Sequence, residues 1–359
     1  MADRELRVLE FFSGIGGYHI ALKELGAPFK VVAAVEISSN ANQIYTHNFP
    51  ETPILEKNIC GLKSKDIDKL NANVFVMSPP CQPYSRQGNK KDTKDNRTNA
   101  VIHMFDIFSE LETMPEYFFI ENVKGFETSD TRDILLKFFK KFSYYTQEFL
   151  INSNQLSIPN SRLRYYLLAR RSHSFQGTDG LQSSIPEISE DKLKLKGGVD
   201  LGKWSSAEVR CLKSFLVDDD VAKYELQDVF IGKWGRLLDL VTPNSTRSCC
   251  FTKGYSVKAE GSGSVLQMAD EKENISVDNF SNNALSVSNV ELEGAEFLKH
   301  MQSLKLRYFT PREIAKIHGI PDWFTFPDSL SDKQMYKLLG NGLNVTVIQI
   351  LFKFCLFTN

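Results

Sequence analysis

Net charge is almost absent from this 359-residue chain: 43 Lys and Arg stand against 44 Asp and Glu, leaving −1. A global basic field is thereby excluded, and any nucleic acid must be held by local patches. Cysteine is scarce, six in all, and no CxxC pair occurs. That pattern predicts a reduced, intracellular protein without structural zinc. No apolar signal segment opens the chain. The longest apolar run, 345–357, is interrupted by Gln349 and Lys353 and is too short to span a bilayer. No internal repeat is found. The length suits one large domain, or one with a smaller companion.

The chain opens with the strand-like run Leu6-Arg7-Val8-Leu9-Glu10-Phe11-Phe12, turns through Ser13-Gly14-Ile15-Gly16-Gly17, and enters a helical pattern carrying Ile20, Leu22 and Leu25. Strand, glycine turn and helix form the nucleotide-binding opening of a doubly wound α/β sheet, because glycines let the backbone approach a ligand at a helix N-terminus. His19 stands where a dinucleotide fold wants its third glycine, which favours an adenosine ligand with a tail other than pyrophosphate. A second apolar run, Val31-Val32-Ala33-Ala34-Val35, ends at Glu36, about twenty residues past the loop, where an acid commonly bonds ribose hydroxyls. The alternative is a plain tight turn.

A strand run at Val74-Phe75-Val76-Met77 is stopped by Ser78-Pro79-Pro80, which delivers Cys81 at a rigid strand exit. In an open α/β sheet that exit faces the ligand crevice, so Cys81 is either a poised nucleophile or a buried structural thiol. After it, 84–99 is a polar loop with Lys90, Lys91, Lys94 and Arg97, suited to a mobile lid over a polyanion or to a plain solvated loop. Tyr117-Phe118-Phe119-Ile120 forms the next strand and ends in Glu121, whose pKa burial would raise. A helix is expected over 132–142. Strand alternation from Arg162 to Tyr166 then puts Arg162 and Arg164 on one face, where they need anionic or carbonyl partners.

The sheet rhythm fails between about 172 and 304. Stretches 176–184 and 192–203 read as linkers, and 261–288 as a polar, partly mobile insert. Between them, 212–240 and 249–255 could build a small recognition domain in which Lys253, Phe251 and Tyr255 set a cation beside aromatics for splayed bases; the other reading is a small core with an exposed lysine. Thr310-Pro311-Arg312-Glu313 starts a helix, with Ile314, Ile317 and Ile320 on its packed face and Pro321 at its end. A last helix from Leu343 should return beside the first strand.

Residues 12–17, Pro79-Pro80-Cys81, Glu121-Asn122-Val123, Arg162-Leu163-Arg164 and Gly340-Asn341-Gly342-Leu343-Asn344-Val345 occur in the order and spacing of the cytosine-5 methyltransferase family, which the chain resembles from end to end. Asn122-Val123-Lys124-Gly125-Phe126 and Cys249-Cys250-Phe251-Thr252-Lys253-Gly254-Tyr255 are similar to its eukaryotic tRNA-directed branch. Two departures stand out: Gly342 where a serine or alanine is expected, and Ser256 where a glycine is expected.

The resemblance implies a doubly wound S-adenosylmethionine-dependent methyltransferase fold, with residues 1–180 and 305–359 in the catalytic domain and 181–304 in a target-recognition domain carrying a mobile insert at about 256–290. It implies Cys81 as nucleophile on carbon 6 of cytosine, Glu121 as partner of ring nitrogen 3, and Arg162 and Arg164 as holders of base, phosphate and thiolate. S-adenosylmethionine would lie along Phe12, Ser13, Gly14, Ile15, Gly16 and Gly17, with Glu36 on its ribose, Ile59 and Cys60 near the adenine, and Ser78, Gly340, Asn341 and Gly342 closing the pocket. Lys90, Lys91, Lys94, Arg97, Lys253 and Tyr255 would touch substrate. The expected substrate is cytosine 38 of tRNA, chiefly tRNA(Asp), with DNA as a weak second; neither metal nor membrane is expected, and the location is cytoplasmic and nuclear. A DNA methyltransferase and a silent nucleic-acid-binding module are the competing readings.

Overall fold

The computed structural model describes residues 5–80, 96–175, 180–185, 208–218, 221–269 and 294–357. Its first strand, β1 (Leu6–Phe11), lies between β2 (Phe29–Val35) and β4 (Val74–Met77), both parallel to it. With β3 (Ile54–Leu55), β5 (Tyr117–Val123), β6 (Tyr145–Asn152), β7 (Leu163–Arg170) and β8 (Leu181–Gln182), they make an eight-stranded sheet ordered β3-β2-β1-β4-β5-β7-β6-β8. Strand β7 alone runs against its neighbours, antiparallel to β5 and β6. The chain leaves β1 outward to β3 and returns to the other side at β4, so the order reverses between β1 and β4. A ligand crevice opens beyond the C-terminal ends of strands at such a point.

Near-continuous apolar runs in β1, β2, β4 and β5 follow from cover on both faces. One face carries α3 (Ser64–Asp68), α4 (Asn96–Phe108) and α5 (Asp130–Lys141); Phe11, Phe75, Phe105, Phe108, Phe118, Phe138 and Phe139 meet there. The other is covered by α1 (Gly17–Leu25), α2 (Ser39–Asn48) and a C-terminal helix at Val345–Phe357. Phe352 of that last helix meets Tyr18 of α1, ring centroids 6.0 Å apart, and Phe119 of β5 at 4.4 Å. The expected return of the C-terminus is therefore made onto α1 as well as onto the sheet. The stretch Asp332–Leu356 is long and apolar enough to cross a membrane by composition alone, yet it is mostly buried within the protein.

A second sheet orders β11 (Leu306–Arg307), β10 (Ser264–Gln267) and β9 (Asp239–Val241). With α6 (Asp228–Trp234) and α7 (Gly294–Ser303) it encloses its own core of Ile231, Leu238, Val265, Phe297 and Met301. Strand β10 corrects the expectation of a mobile insert beginning near 256: Ser264 and Gln267 are buried, because β9 and β11 hydrogen-bond to the strand on either side. Residues 270–293 lie outside the described part. Helix α8 (Pro311–Ile317) starts as expected, with a reciprocal capping box between Thr310 and Glu313. Glu313 also takes two 2.8 Å bonds from Arg307, a fully buried pair that ties β11 to α8. Helix α9 (Asp332–Asn341) and the last helix, α10, complete the chain.

Candidate active site

Two loops flank the switch point. After β1 the backbone turns sharply: Phe12 takes φ 52°, a strained value for a bulky side chain, and the Gly14 N–H donates to Glu36 Oε2 at 3.0 Å. Glu36 Oε1 accepts the N–H groups of Ile37 and Ser38, each at 2.9 Å. The acid at the exit of β2 thus holds the glycine loop, as a half-buried carboxylate with further lone pairs on its open side. Gly16 has φ +89°, and a Cβ there would sit 3.0 Å from the rings of both Tyr45 and Phe49, so only glycine fits this close approach. Ile37, 64 % exposed, leaves an apolar face beside Glu36. Neither the sequence pattern of the loop nor that of the strand singles it out.

The second loop follows β4. Met77 O accepts the Tyr18 hydroxyl at 3.1 Å, and Pro79 O accepts Asn122 Nδ2 at 3.4 Å. Anchors from α1 and from the exit of β5 therefore fix the turn that leads to residue 81. Cys81 itself lies outside the described residues, as do Lys90, Lys91 and Lys94. Arg97 falls in the first turn of α4, so the polar segment 84–99 ends in helix rather than loop.

Glu121 is buried beside this exit, with Arg164 Nε 3.5 Å from Oε1. Burial pushes its pKa up, against the opposing pull of Arg164, Arg162 and the nearby Ser78 hydroxyl. Ser78 Oγ is close enough to exert that pull, yet it makes no hydrogen bond of good geometry among the described residues. Arg162 and Arg164 do share a face, and what they share there is Cys250: its Sγ lies 3.3 Å from Arg162 Nη1 and 3.6 Å from Arg164 Nη2. Burial would raise the Cys250 thiol, but the two guanidiniums outweigh it and the pKa ends lowered. Arg162 also donates to Phe251 O at 3.3 Å and to Gly342 O. Its Nε, in a side chain only 3 % exposed, has no partner among the described residues.

Leu343 lies against Gly17, which brings the 340–344 segment next to the glycine loop. Gly340 packs on the Thr252–Lys253 peptide so tightly that no Cβ could fit, and Asn341 is exposed. Ile59 is buried in the phenylalanine-rich core, and Cys60 is exposed beside it. Lys253 is exposed, whereas Tyr255 requires a correction. It is 2 % exposed, donates to Ser264 O at 2.7 Å, accepts from Phe309 N at 2.9 Å, and packs edge-on against Phe251, Tyr308 and Tyr336. With both faces and its hydroxyl committed, it is a core residue and offers no platform for a base. Ser256 adopts φ 64°, which explains why glycine is the residue expected there.

The fit of an adenosine-bearing cofactor can be judged from these groups. Ser13 Oγ is buried without a partner among the described residues, the space above Gly14 is open to 4 Å, and a carboxylate and an apolar face stand at the exit of β2. Hydroxyl, carboxylate and apolar face are the donor and surface types that ribose and adenine require. Among the described residues, no group of three or more His, Cys, Asp or Glu is placed to hold a metal ion.

Residues 6–356 match the C-5 cytosine-specific DNA methylase family. The human protein named tRNA (cytosine(38)-C(5))-methyltransferase is 41 % identical, with 97 % of this chain and 98 % of that one covered. A Dictyostelium discoideum protein named DNA (cytosine-5)-methyltransferase is 34 % identical, covering 97 % of this chain and 94 % of its own. The crystal structure of a Spodoptera frugiperda DNMT2 triple mutant superposes with a TM-score of 0.81 at 36 % identity, over 97 % of this chain and 99 % of that one. The large sheet and its helices have the fold of S-adenosylmethionine-dependent methyltransferases.

Proposed function

Because the chain belongs to the C-5 cytosine-specific DNA methylase family, we propose that it is a tRNA methyltransferase, modifying carbon 5 of cytosine 38 in the anticodon loop and tRNA(Asp) above other tRNAs. The observation that carries this reading is Glu121: a buried carboxyl whose pKa burial raises, 3.5 Å from Arg164 and beside the fixed turn that leads to Cys81.

Carbon 5 of cytosine is a poor nucleophile. A thiolate from Cys81 adds to carbon 6, while protonated Glu121 donates to ring nitrogen 3 and takes up the charge that the addition pushes onto the ring. Its raised pKa suits this role, since an ionised carboxylate would have no proton to give. Arg162 and Arg164 orient the ring and favour the anionic form of Cys81. S-adenosylmethionine, when bound, supplies an electrophilic methyl group. Loss of the carbon-5 proton to water then re-forms the double bond, the carbon–sulfur bond breaks so that Cys81 leaves as thiolate, and ring nitrogen 3 returns its proton to Glu121. Ser13, Gly14, Ile15, Gly16, Gly17, Glu36 and Ile37 hold the cofactor in this reading, with Phe12, Ile59, Cys60, Ser78 and the 340–342 segment around it. Lys253, and the lysines at 90, 91 and 94 with Arg97, contact RNA backbone, and the small sheet belongs to a recognition domain.

An anticodon loop already presents unstacked bases, whereas extracting a cytosine from a duplex costs a few kcal/mol. The name of the Dictyostelium relative keeps duplex DNA as the second reading. Tritiated cofactor offered with equal amounts of tRNA(Asp), a scrambled-loop tRNA and duplex DNA separates the two. The RNA reading expects tRNA(Asp) to be labelled at least about a hundredfold faster than DNA, since each 1.4 kcal/mol is a factor of ten. Equal rates would reject it in favour of the DNA enzyme.

A further inference from the structure

Glu10 sits in the middle of β1, and its side chain is wholly buried. Its Oε2 is 2.9 Å from the Tyr45 hydroxyl of α2, and the same hydroxyl is 2.9 Å from Nδ1 of His19 on α1. One hydroxyl proton cannot serve two acceptors, so Glu10 or the near nitrogen of His19 must itself carry a proton. His19 stacks on Phe49, with centroids 3.7 Å apart and planes 11° from parallel. Tyr45 and Phe49 are the two rings that press on Gly16 from below. The hydrogen-bonded chain therefore anchors the floor of the glycine loop, and neither the loop itself nor the catalytic groups described above include it.

We infer that Glu10, Tyr45 and His19 are positioning residues for the cofactor loop: together they hold the rings that set the backbone at Gly16. The inference rests on reading that loop as the S-adenosylmethionine cradle. Glu10 faces Tyr45 from α2, Tyr18 and His19 from α1 and Glu36 from just past the end of β2, with apolar Val76 beside it on β4; Lys23 lies one turn beyond His19. Burial pushes Glu10 up to about 8, against the pull of the Tyr45 hydroxyl and of the nearby amides of Tyr18 and His19, while Glu36 adds to the rise. Near neutral pH, Glu10 thus carries the proton that completes the chain. Above pH 8 a carboxylate replaces it under the loop.

Titration calorimetry with S-adenosylhomocysteine at pH 7 and pH 9 tests this, on the full-length protein without RNA. Wild-type affinity should fall roughly tenfold, because the share of protein with protonated Glu10 drops about tenfold across a pKa of about 8. Glu10→Gln, which keeps a neutral donor of the same shape, should bind as wild type does at pH 7 and hold that affinity at pH 9. Tyr45→Phe, which leaves the ring but removes the bridge, should weaken binding at pH 7 without altering RNA affinity. Equal pH dependence in wild type and Glu10→Gln would overturn the inference, as would unchanged cofactor binding by Tyr45→Phe. If Glu10→Gln does not fold, the Tyr45→Phe result decides. A wild type that binds no S-adenosylhomocysteine at either pH would overturn the cofactor reading itself, and this inference with it.

Discussion

The two faces of the large sheet are built on opposite plans. Under α4 and α5, phenylalanines pack edge to face, as Phe105 does on Phe138 at 4.8 Å and Phe118 on Phe139 at 5.1 Å. The buried charge on that side is fully paired: Arg132 donates two 2.7 Å bonds to Glu148, and the Tyr165 hydroxyl donates a third at 2.6 Å. Under α1 and α10 lie Glu10, Glu121, Arg162 and Arg164, and there Glu10 Oε1, Ser13 Oγ and Arg162 Nε are left without partners among the described residues. Buried polar groups are nearly always satisfied, so these three orphans mark the face on which the proposed chemistry would take place.

A pair of substitutions can break this comparison. Glu121→Gln should fold normally yet lose about 100- to 10,000-fold in methyl transfer, the usual range for a proton donor. Phe118→Ala, on the opposite face, should cost about 3–5 kcal/mol of stability while the surviving folded protein keeps its turnover. Urea melts and rates normalised to folded protein check both. If Glu121→Gln mainly unfolds the chain, or Phe118→Ala mainly slows chemistry, the two faces are not divided as described. A smaller effect belongs to Glu36→Ala: cofactor affinity should fall by about 1–3 kcal/mol, from lost ribose bonds and a loosened Gly14. Unchanged affinity by calorimetry would remove Glu36 from the pocket.

The smallest effect concerns pH. In the fold Glu10 keeps its proton to about pH 8, whereas unfolded it would release it near 4.5, so stability falls as pH rises between those values. His19, buried and held neutral down to about 3 against 6.5 in the open chain, acts in the opposite sense up to about 6.5. Of these two groups, Glu10 alone contributes a slope from there to pH 8. Wild-type stability should therefore fall over that interval more steeply than that of Glu10→Gln, by at most ~1.4 kcal/mol per pH unit. Parallel denaturation curves would place the titration elsewhere.

Local pattern exposes some of this molecule and hides the rest. The strand–glycine–helix opening, Glu36 at the exit of β2 and the one-sided arginines are consequences of short-range periodicity, and they can be read from the chain. Cys250 could not be assigned to Arg162 and Arg164, because 88 and 86 residues separate the partners and only the folded sheet joins them. Tyr255 beside Lys253 reads equally well as a stacking platform or as core; the burial that decides comes from Phe309 and Tyr336, far along the sequence. Strand β10 looks polar because Ser264 and Gln267 are buried by pairing rather than by apolarity. Glu10 did leave a signal, an acid inside the apolar run of a central strand, where a carboxyl persists only with partners or a proton.

The central claim, that Cys81 carries a cytosine-5 methyl transfer to tRNA, is tested most directly by bisulfite sequencing of tRNA(Asp) after incubation with cofactor and either wild type or Cys81→Ala. The account predicts conversion-resistant cytosine at position 38 with wild type and full conversion with the variant, which should still bind S-adenosylhomocysteine. Protection of cytosine 38 by Cys81→Ala, or none with an active wild type, would contradict it.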